Sequence, residues 1–346
     1  MDRITRWACA AGLPVLLAVS PLVRPAWAMG SKEPEVAKDI SQGLEWLAKH
    51  QSTRGRWTAN NGFYPSAMTS LAGVAFLAQG STTTQGKYAA TVRSTVDFLL
   101  DNARPNGLIG DPIHDDRYTY GHGFAMLFLS QVLGEEEDAD RRAQLVNVLT
   151  KAVTFCGRAQ TEPGGWGYVS AKDGQGFDEG STTITQVQGL RGCRNAGIPV
   201  PKEIIDKAIK YIRSCTTPDG GVQYNSKGGG PRPAISAAAI ACLFNAGDYD
   251  DKFVPKMLKY CEQNFSDLTR DNSGHWHYAH YYYSQVLYRE GGKKWENYRD
   301  KVYAQILSTA NQEGCWDQGF MGHVYTTAIN LTILQLERGT LPIYQR

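Results

Sequence analysis

Trp46-Leu47-Ala48-Lys49-His50-Gln51-Ser52-Thr53-Arg54-Gly55-Arg56-Trp57 carries a pattern that returns along the whole chain. An aromatic–aliphatic pair is followed by Gln51, Gly55 and Trp57 at fixed offsets. The spacing recurs in Phe155-Cys156…Gln160…Gly164…Trp166. Degenerate copies are Phe98-Leu99…Ala103…Gly107…Ile109 and Tyr211-Ile212…Thr216…Gly220…Val222. A shortened copy reads Ile306-Leu307…Gln312…Gly314…Trp316, and a stretched one Tyr260-Cys261…Gln263…Gly274…Trp276. Self-similarity at a period of about 40 to 58 residues is the mark of a repeat architecture.

Each copy lies between two helical segments of different character. The first, as in Val36–His50, Lys202–Cys215 and Trp295–Thr309, has apolar residues at three- and four-residue steps and charges elsewhere, which predicts a helix with one face in water. The second is nearly uncharged: Ser66–Gln79, Ala234–Ala246 and Tyr325–Leu336. A helix apolar all round must be buried all round. Glycines near its end (Gly80, Gly134, Gly197, Gly247, Gly291 and Gly339) suit the left-handed residue that closes a helix. Six units begin near residues 36, 88, 140, 201, 252 and 293. A lone hairpin cannot bury its inner helix, so the hairpins must stack. The expected architecture is all-α, an (α/α)6 toroid with an inner apolar ring and an outer amphipathic ring. An open α-solenoid is the alternative, but neither terminal unit has the polar inner helix of a cap.

The Gln-x-x-x-Gly-x-Trp unit resembles the QW repeat of squalene and hopene cyclases. Gly180-Ser181-Thr182-Thr183-Ile184-Thr185-Gln186 resembles an inner-helix start in those enzymes. The wider group is the terpenoid cyclase/protein prenyltransferase α/α-toroid superfamily, which includes prenyltransferase and squalene oxidase repeat proteins. The resemblance spans roughly residues 36–339. It implies that the motif residues Gln51, Gly55, Trp57, Gln160, Gly164, Trp166, Gln312, Gly314 and Trp316 tie hairpins together. It is less specific for activity, because one fold hosts many functions.

Residues 1–28 stand apart from the repeats. Arg3 and Arg6 precede a mostly apolar stretch ending at Ala26-Trp27-Ala28, the signature of a cleaved secretory signal peptide. The expected location is therefore the periplasm or the exterior. Residues 29–35 read as a polar lead-in, and residues 36–346 as a single toroid domain. Taking Arg3, Arg6, Arg24 and Asp2 from 36 basic and 34 acidic residues leaves 33 of each. Without a basic stripe, nucleic-acid binding is not expected. No later segment has 18 consecutive apolar residues, so no integral span is expected after cleavage. Six cysteines remain, an even number that permits disulfides, although Cys193 and Cys242 read as small buried hydrophobes.

In a toroid all inner helices start at one end of the ring, and their N-termini line its mouth, the place for a ligand. Six of the seven histidines (His114, His122, His275, His277, His280 and His323) fall in these turns or first helical turns, with only His50 placed elsewhere. Tyr118, Tyr120, Phe124, Tyr278, Tyr281, Tyr282, Tyr283 and Tyr325 gather there, with Asp111, Asp115, Asp116, Asp178, Glu179 and Asp317.

Three chemistries follow. The first is cyclase-like, with aromatic faces stabilising a cation. The family's acid is an Asp-x-Asp-Asp-Thr motif at an inner-helix start. Asp248-Tyr249-Asp250-Asp251 follows an inner helix instead, has Lys252 in place of Thr, and is expected to face solvent. The second is a zinc site. The prenyltransferase Asp-x-Cys pair is absent, but His275, His277 and His280 lie within six residues and are candidate Zn ligands. The third is a carboxylate-dependent hydrolase or lyase, pairing Asp115 or Asp116 with Asp178 or Asp317 across the mouth. The candidate catalytic residues are thus Asp115, Asp116, Asp178, Asp317 and His280. The candidate ligand contacts are Tyr120, His122, Trp276, Tyr278, His323 and Tyr325. The favoured expectation is an exported toroid that binds an apolar or isoprenoid-like ligand, or a polymeric one, without working as a triterpene cyclase. A non-catalytic scaffold is the rival.

Overall fold

The computed structural model describes residues 33–268 and 275–345. The expected signal peptide, residues 1–28, lies outside the described residues. The first helix starts at Glu33, so it takes in the last three residues of the expected polar lead-in.

Among the described residues twelve α-helices alternate between two layers. The outer layer is α1 (Glu33–Lys49), α3 (Ala89–Asp101), α5 (Ala139–Ala159), α7 (Lys202–Cys215), α9 (Val254–Asn264) and α11 (Gly292–Leu307). The inner layer is α2 (Pro65–Gln79), α4 (Tyr118–Glu135), α6 (Gly180–Asn195), α8 (Pro233–Ala246), α10 (Trp276–Glu290) and α12 (His323–Leu334). Each inner helix packs on the next, and α12 packs back on α2. The ring is closed, which excludes the open solenoid. Among the described residues the only sheet is a small antiparallel ribbon, β1 (Gln223–Asn225) and β2 (Gly228–Pro231), in the turn before α8.

The motif spacing has a structural cause. Trp57 and Trp166 are buried, and their Nε1–H groups donate to the carbonyls of Leu47 and Cys156, ten residues back on the outer helix of the same hairpin. The glycine seats the next hairpin. Gly55, Gly107, Gly164 and Gly220 have φ between 77° and 107°, the region glycine enters without penalty. A Cβ on these four would lie 2.1–2.3 Å from a backbone oxygen of the next outer helix. Gln51 Nε2 donates to its own Gly55 O and to Thr91 O of α3, and Gln160 Nε2 to Gly164 O and Ile204 O of α7. Gln and Gly thus link neighbouring hairpins, while the Trp ring locks its own.

The sixth copy corrects the sequence reading. Trp316 Nε1–H donates to Ile306 O, again ten residues back, and Gly314 packs on Gln42 of α1, closing the ring. Counting four residues back from Gly314 puts Ala310 in the glutamine position. Gln312 is exposed and plays no part in the linkage. In the fifth copy, Trp276 is the first residue of α10 rather than part of a preceding turn, and its Nε1–H donates to Leu268 O.

The far end of the ring is covered by the chain's last turns. Gln335 Nε2 donates to Ala75 O, the Ile343 backbone N–H donates to Gln131 Oε1, and the Tyr281 and Tyr344 hydroxyls lie 2.7 Å apart. The six cysteines of the described region are buried free thiols. No helix among the described residues is long and apolar enough to cross a membrane.

Candidate functional site

Inner-helix geometry determines which polar residues reach the mouth. The backbone N–H at the motif Trp position needs an acceptor in each hairpin. Trp57 N–H donates to Thr69 Oγ1, Trp166 to Thr183, Val222 to Ser236 and Trp316 to Thr327. In the second hairpin Ile109 N–H donates to His122 Nδ1, while His122 Nε2 lies 3.2 Å from Ala152 O. An accepting Nδ1 requires the proton on Nε2. These side chains therefore point toward the outer layer. His280, the fifth residue of α10, matches Thr69, His122 and Thr327 in register, and its Nδ1 lies 2.7 Å from Tyr298 Oη. Both histidines are buried. Burial holds His122 down at about 4 and His280 at about 3, so both are neutral. Neither is a mouth residue, which corrects the roles expected for them.

Helical rotation of about 100° per residue turns the side chain two positions earlier toward the axis. That ring is Ala67, Tyr120, Ser181, Ala234, Tyr278 and Tyr325. Tyr120, Ser181, Tyr278 and Tyr325 are half-buried. Two positions after the outward residue lies the next layer, Leu71, Phe124, Thr185, Ala238, Tyr282 and Ile329, where no residue exceeds 6% exposure. Deeper still, Gln188 of α6 donates to Gln285 of α10, spanning the interior past α8. The mouth thus presents a half-buried layer rich in tyrosine over a layer that is buried one turn down.

At its edge stands Glu179, the N-cap of α6, fully buried. Its carboxylate accepts from Ser181 N (2.8 Å), Thr182 N (2.6 Å), Ser181 Oγ (2.6 Å) and Tyr120 Oη (3.3 Å). Tyr278 Oη donates to Ser181 O at 2.9 Å. Burial pushes the Glu179 carboxyl up, and the bonds from Ser181 and Thr182 pull it partly back. Tyr168 and Tyr224 hydrogen-bond to each other through their hydroxyls, and Tyr168 lies 6.0 Å from Tyr120. The sequence placed Glu179 among the mouth acids but chose its neighbour Asp178. Asp178 instead turns to the β1–β2 ribbon and accepts from Ser226 N and Oγ.

The other expected acids do not converge. Asp115 is buried against the start of α2, accepting from Ser66 Oγ at 2.6 Å and Asp111 N at 3.0 Å, and burial pushes its carboxyl up. Asp116 is exposed beside Tyr64, and Asp317 is exposed and accepts from Gln318. Asp248 and Asp251 hold Arg213 of α7, with Asp251 buried rather than solvated.

The three histidines expected to bind zinc do not gather. His275 lies on Phe320, His277 lies beside Trp276 and Tyr325, and His280 faces the outer layer. Among the described residues no three His, Cys, Asp or Glu side chains are grouped to hold a metal. Trp276 packs on His280, away from the axis. His323 is exposed beside Trp46, which stacks on His50 at 4.0 Å, so His50 shares the mouth end after all. A groove of about 410 Å³ between α7 and the C-terminal ends of α6 and α8 lies at the opposite end of the ring and carries none of these groups.

No protein-family model and no curated protein matches this chain. Solved structures do. The type II terpene cyclase MstE from Scytonema superposes with a TM-score of 0.58 at 14% identity, covering 89% of this chain and 100% of that one. A variant of that enzyme in complex with its substrate, geranylgeranyl dihydroxybenzoate, gives 0.59 at 12% identity over 89% and 99%. A protein from Actinoplanes gives 0.59 at 15% identity over 88% and 99%. The closed double ring of helices is the fold that these structures share with this chain.

Proposed function

We propose that this protein binds an apolar ligand, isoprenoid-like or polymeric, across the tyrosine-lined mouth at the N-terminal ends of the inner helices, and does so outside the cytoplasm. The supporting observation is the contrast between two successive axial layers. Tyr120, Tyr278 and Tyr325 keep accessible surface although they face the ring axis, whereas Tyr282 one turn deeper is 0% exposed. Aromatic faces whose hydroxyls are held by hydrogen bonds, as at Tyr120 and Tyr278, suit an apolar chain laid across them. Among the described residues the second axial layer is at most 6% exposed, which favours a ligand laid across the mouth over one folded deep within the ring. The fold-level likeness to enzymes that handle prenyl substrates agrees with an apolar ligand but does not identify it.

Native mass spectrometry of protein recovered from its export compartment tests this reading. The expected result is a co-purifying apolar mass that is lost in Tyr278→Ala, with affinity weakened about tenfold, in line with roughly 1–1.5 kcal/mol for one aromatic contact. Undiminished ligand retention in a Tyr120→Ala/Tyr278→Ala double variant would sink it.

A further inference from the structure

Three neighbouring inner helices carry charged N-caps: Arg117 on α4, Glu179 on α6 and Arg232 on α8. A cation at a helix N-terminus faces the positive end of the helix dipole, so two arginines here are electrostatically misplaced for stability. They are not held there by Glu179, whose oxygens are taken up by Ser181, Thr182 and Tyr120. Among the described residues neither guanidinium has an ion-pair or hydrogen-bond partner. Each is stacked instead on a tyrosine. Arg117 Cζ lies 4.3 Å from the Tyr168 ring centre, and Arg232 Cζ lies 4.0 Å from that of Tyr224. The two rings are joined hydroxyl to hydroxyl. A guanidinium held over a ring by its face keeps N–H groups available to a planar or tetrahedral oxyanion.

We propose that Arg117 and Arg232 form a two-armed clamp for an acidic group, a carboxylate or a phosphate, carried by the ligand of the mouth. The clamp rests on the reading of the mouth as a ligand site. Two cations at the N-termini of the helices on either side of α6 favour an anion and disfavour a cationic ligand. Tyr168 lies against Tyr120, so an acidic group held there places the rest of the ligand over the axial tyrosines. The nearby Asp116 is on the solvent side, next to Tyr64.

Calorimetric titration of the signal-free protein with decanoate, decyl phosphate, decanol and inorganic phosphate tests the clamp. The expected result is a preference of about tenfold or more for the acidic chains over decanol, the size of a charge-assisted hydrogen bond. Arg117→Gln/Arg232→Gln should abolish that preference while leaving decanol affinity and the circular dichroism spectrum unchanged. Both arginines are exposed, so the variant keeps its core. Equal binding of decanoate and decanol, or a preference that survives the double substitution, overturns the clamp and leaves the apolar mouth standing. Arginine-dependent binding of inorganic phosphate without binding of any chain supports the clamp and removes the apolar reading. Absence of binding by all four probes removes both.

Discussion

His122 and His280 each occupy a position that serine or threonine fills elsewhere in the ring, and that exchange has a pH signature. Their folded-state values, about 4 and about 3, lie below the ordinary 6.5. Above pH 6.5 both states are neutral and the histidines contribute nothing to pH dependence. As pH falls below 6.5 the unfolded chain takes up protons that the folded chain refuses, so stability declines until the folded values are reached. At pH 5 the loss is about 2 kcal/mol per histidine. Asp115 and Glu179, whose carboxyls are pushed up by burial, act in the opposite sense. The clean measurement is therefore a single-residue difference. Urea unfolding of His122→Thr at pH 7 and pH 5 should show a shallower loss than the parent, and an identical loss would contradict a buried neutral imidazole.

At the scale of the helical hairpin, the linkage is made by glutamine and glycine. Gln160→Ala removes bonds to Gly164 O and Ile204 O and should cost about 1–3 kcal/mol. Gln312→Ala removes an exposed side chain and should change stability by less than about 0.5 kcal/mol. Denaturant midpoints for the two variants decide the point, since a reading of the sequence alone gives both residues the same role. The misreading has a local cause. A glutamine two residues past the true position, which is held by Ala310, hides the register, and only the ten-residue span from Ile306 O to Trp316 Nε1 reveals it.

For the molecule as a whole, closure is carried by contacts between the two chain ends. Trp46 Nε1–H donates to Glu313, Asn60 Nδ2 to Phe320 O, and Thr340 Oγ1 to Ala78 O. Ile343 and Tyr344 are 6% and 7% exposed and cover the far end of the ring. Truncation after Gly339 should remove roughly 3–5 kcal/mol of apolar burial and uncover Tyr281, detectable as a lowered thermal midpoint and new binding of a hydrophobic dye. An unchanged midpoint would mean that the tail is not part of the folded core.

The amino-acid sequence by itself determined the number of hairpins and the division into inner and outer layers. A helix buried on all sides must lack charge along its buried turns, as the inner helices do except near their C-terminal ends, and that is visible residue by residue. It also located the end of the ring where polar and aromatic side chains gather. Only the tertiary structure decided which of those side chains face the axis. Eleven to seventeen residues separate the motif Trp position from the outward Ser, Thr or His in the five hairpins where that bond is made. Each added residue rotates the next helix's faces, so spacing alone does not separate Tyr278 from His280 or Glu179 from Asp178. Burial of the second axial layer, Leu71, Phe124 and Tyr282 among it, likewise depends on helices far apart in the chain packing around one ring.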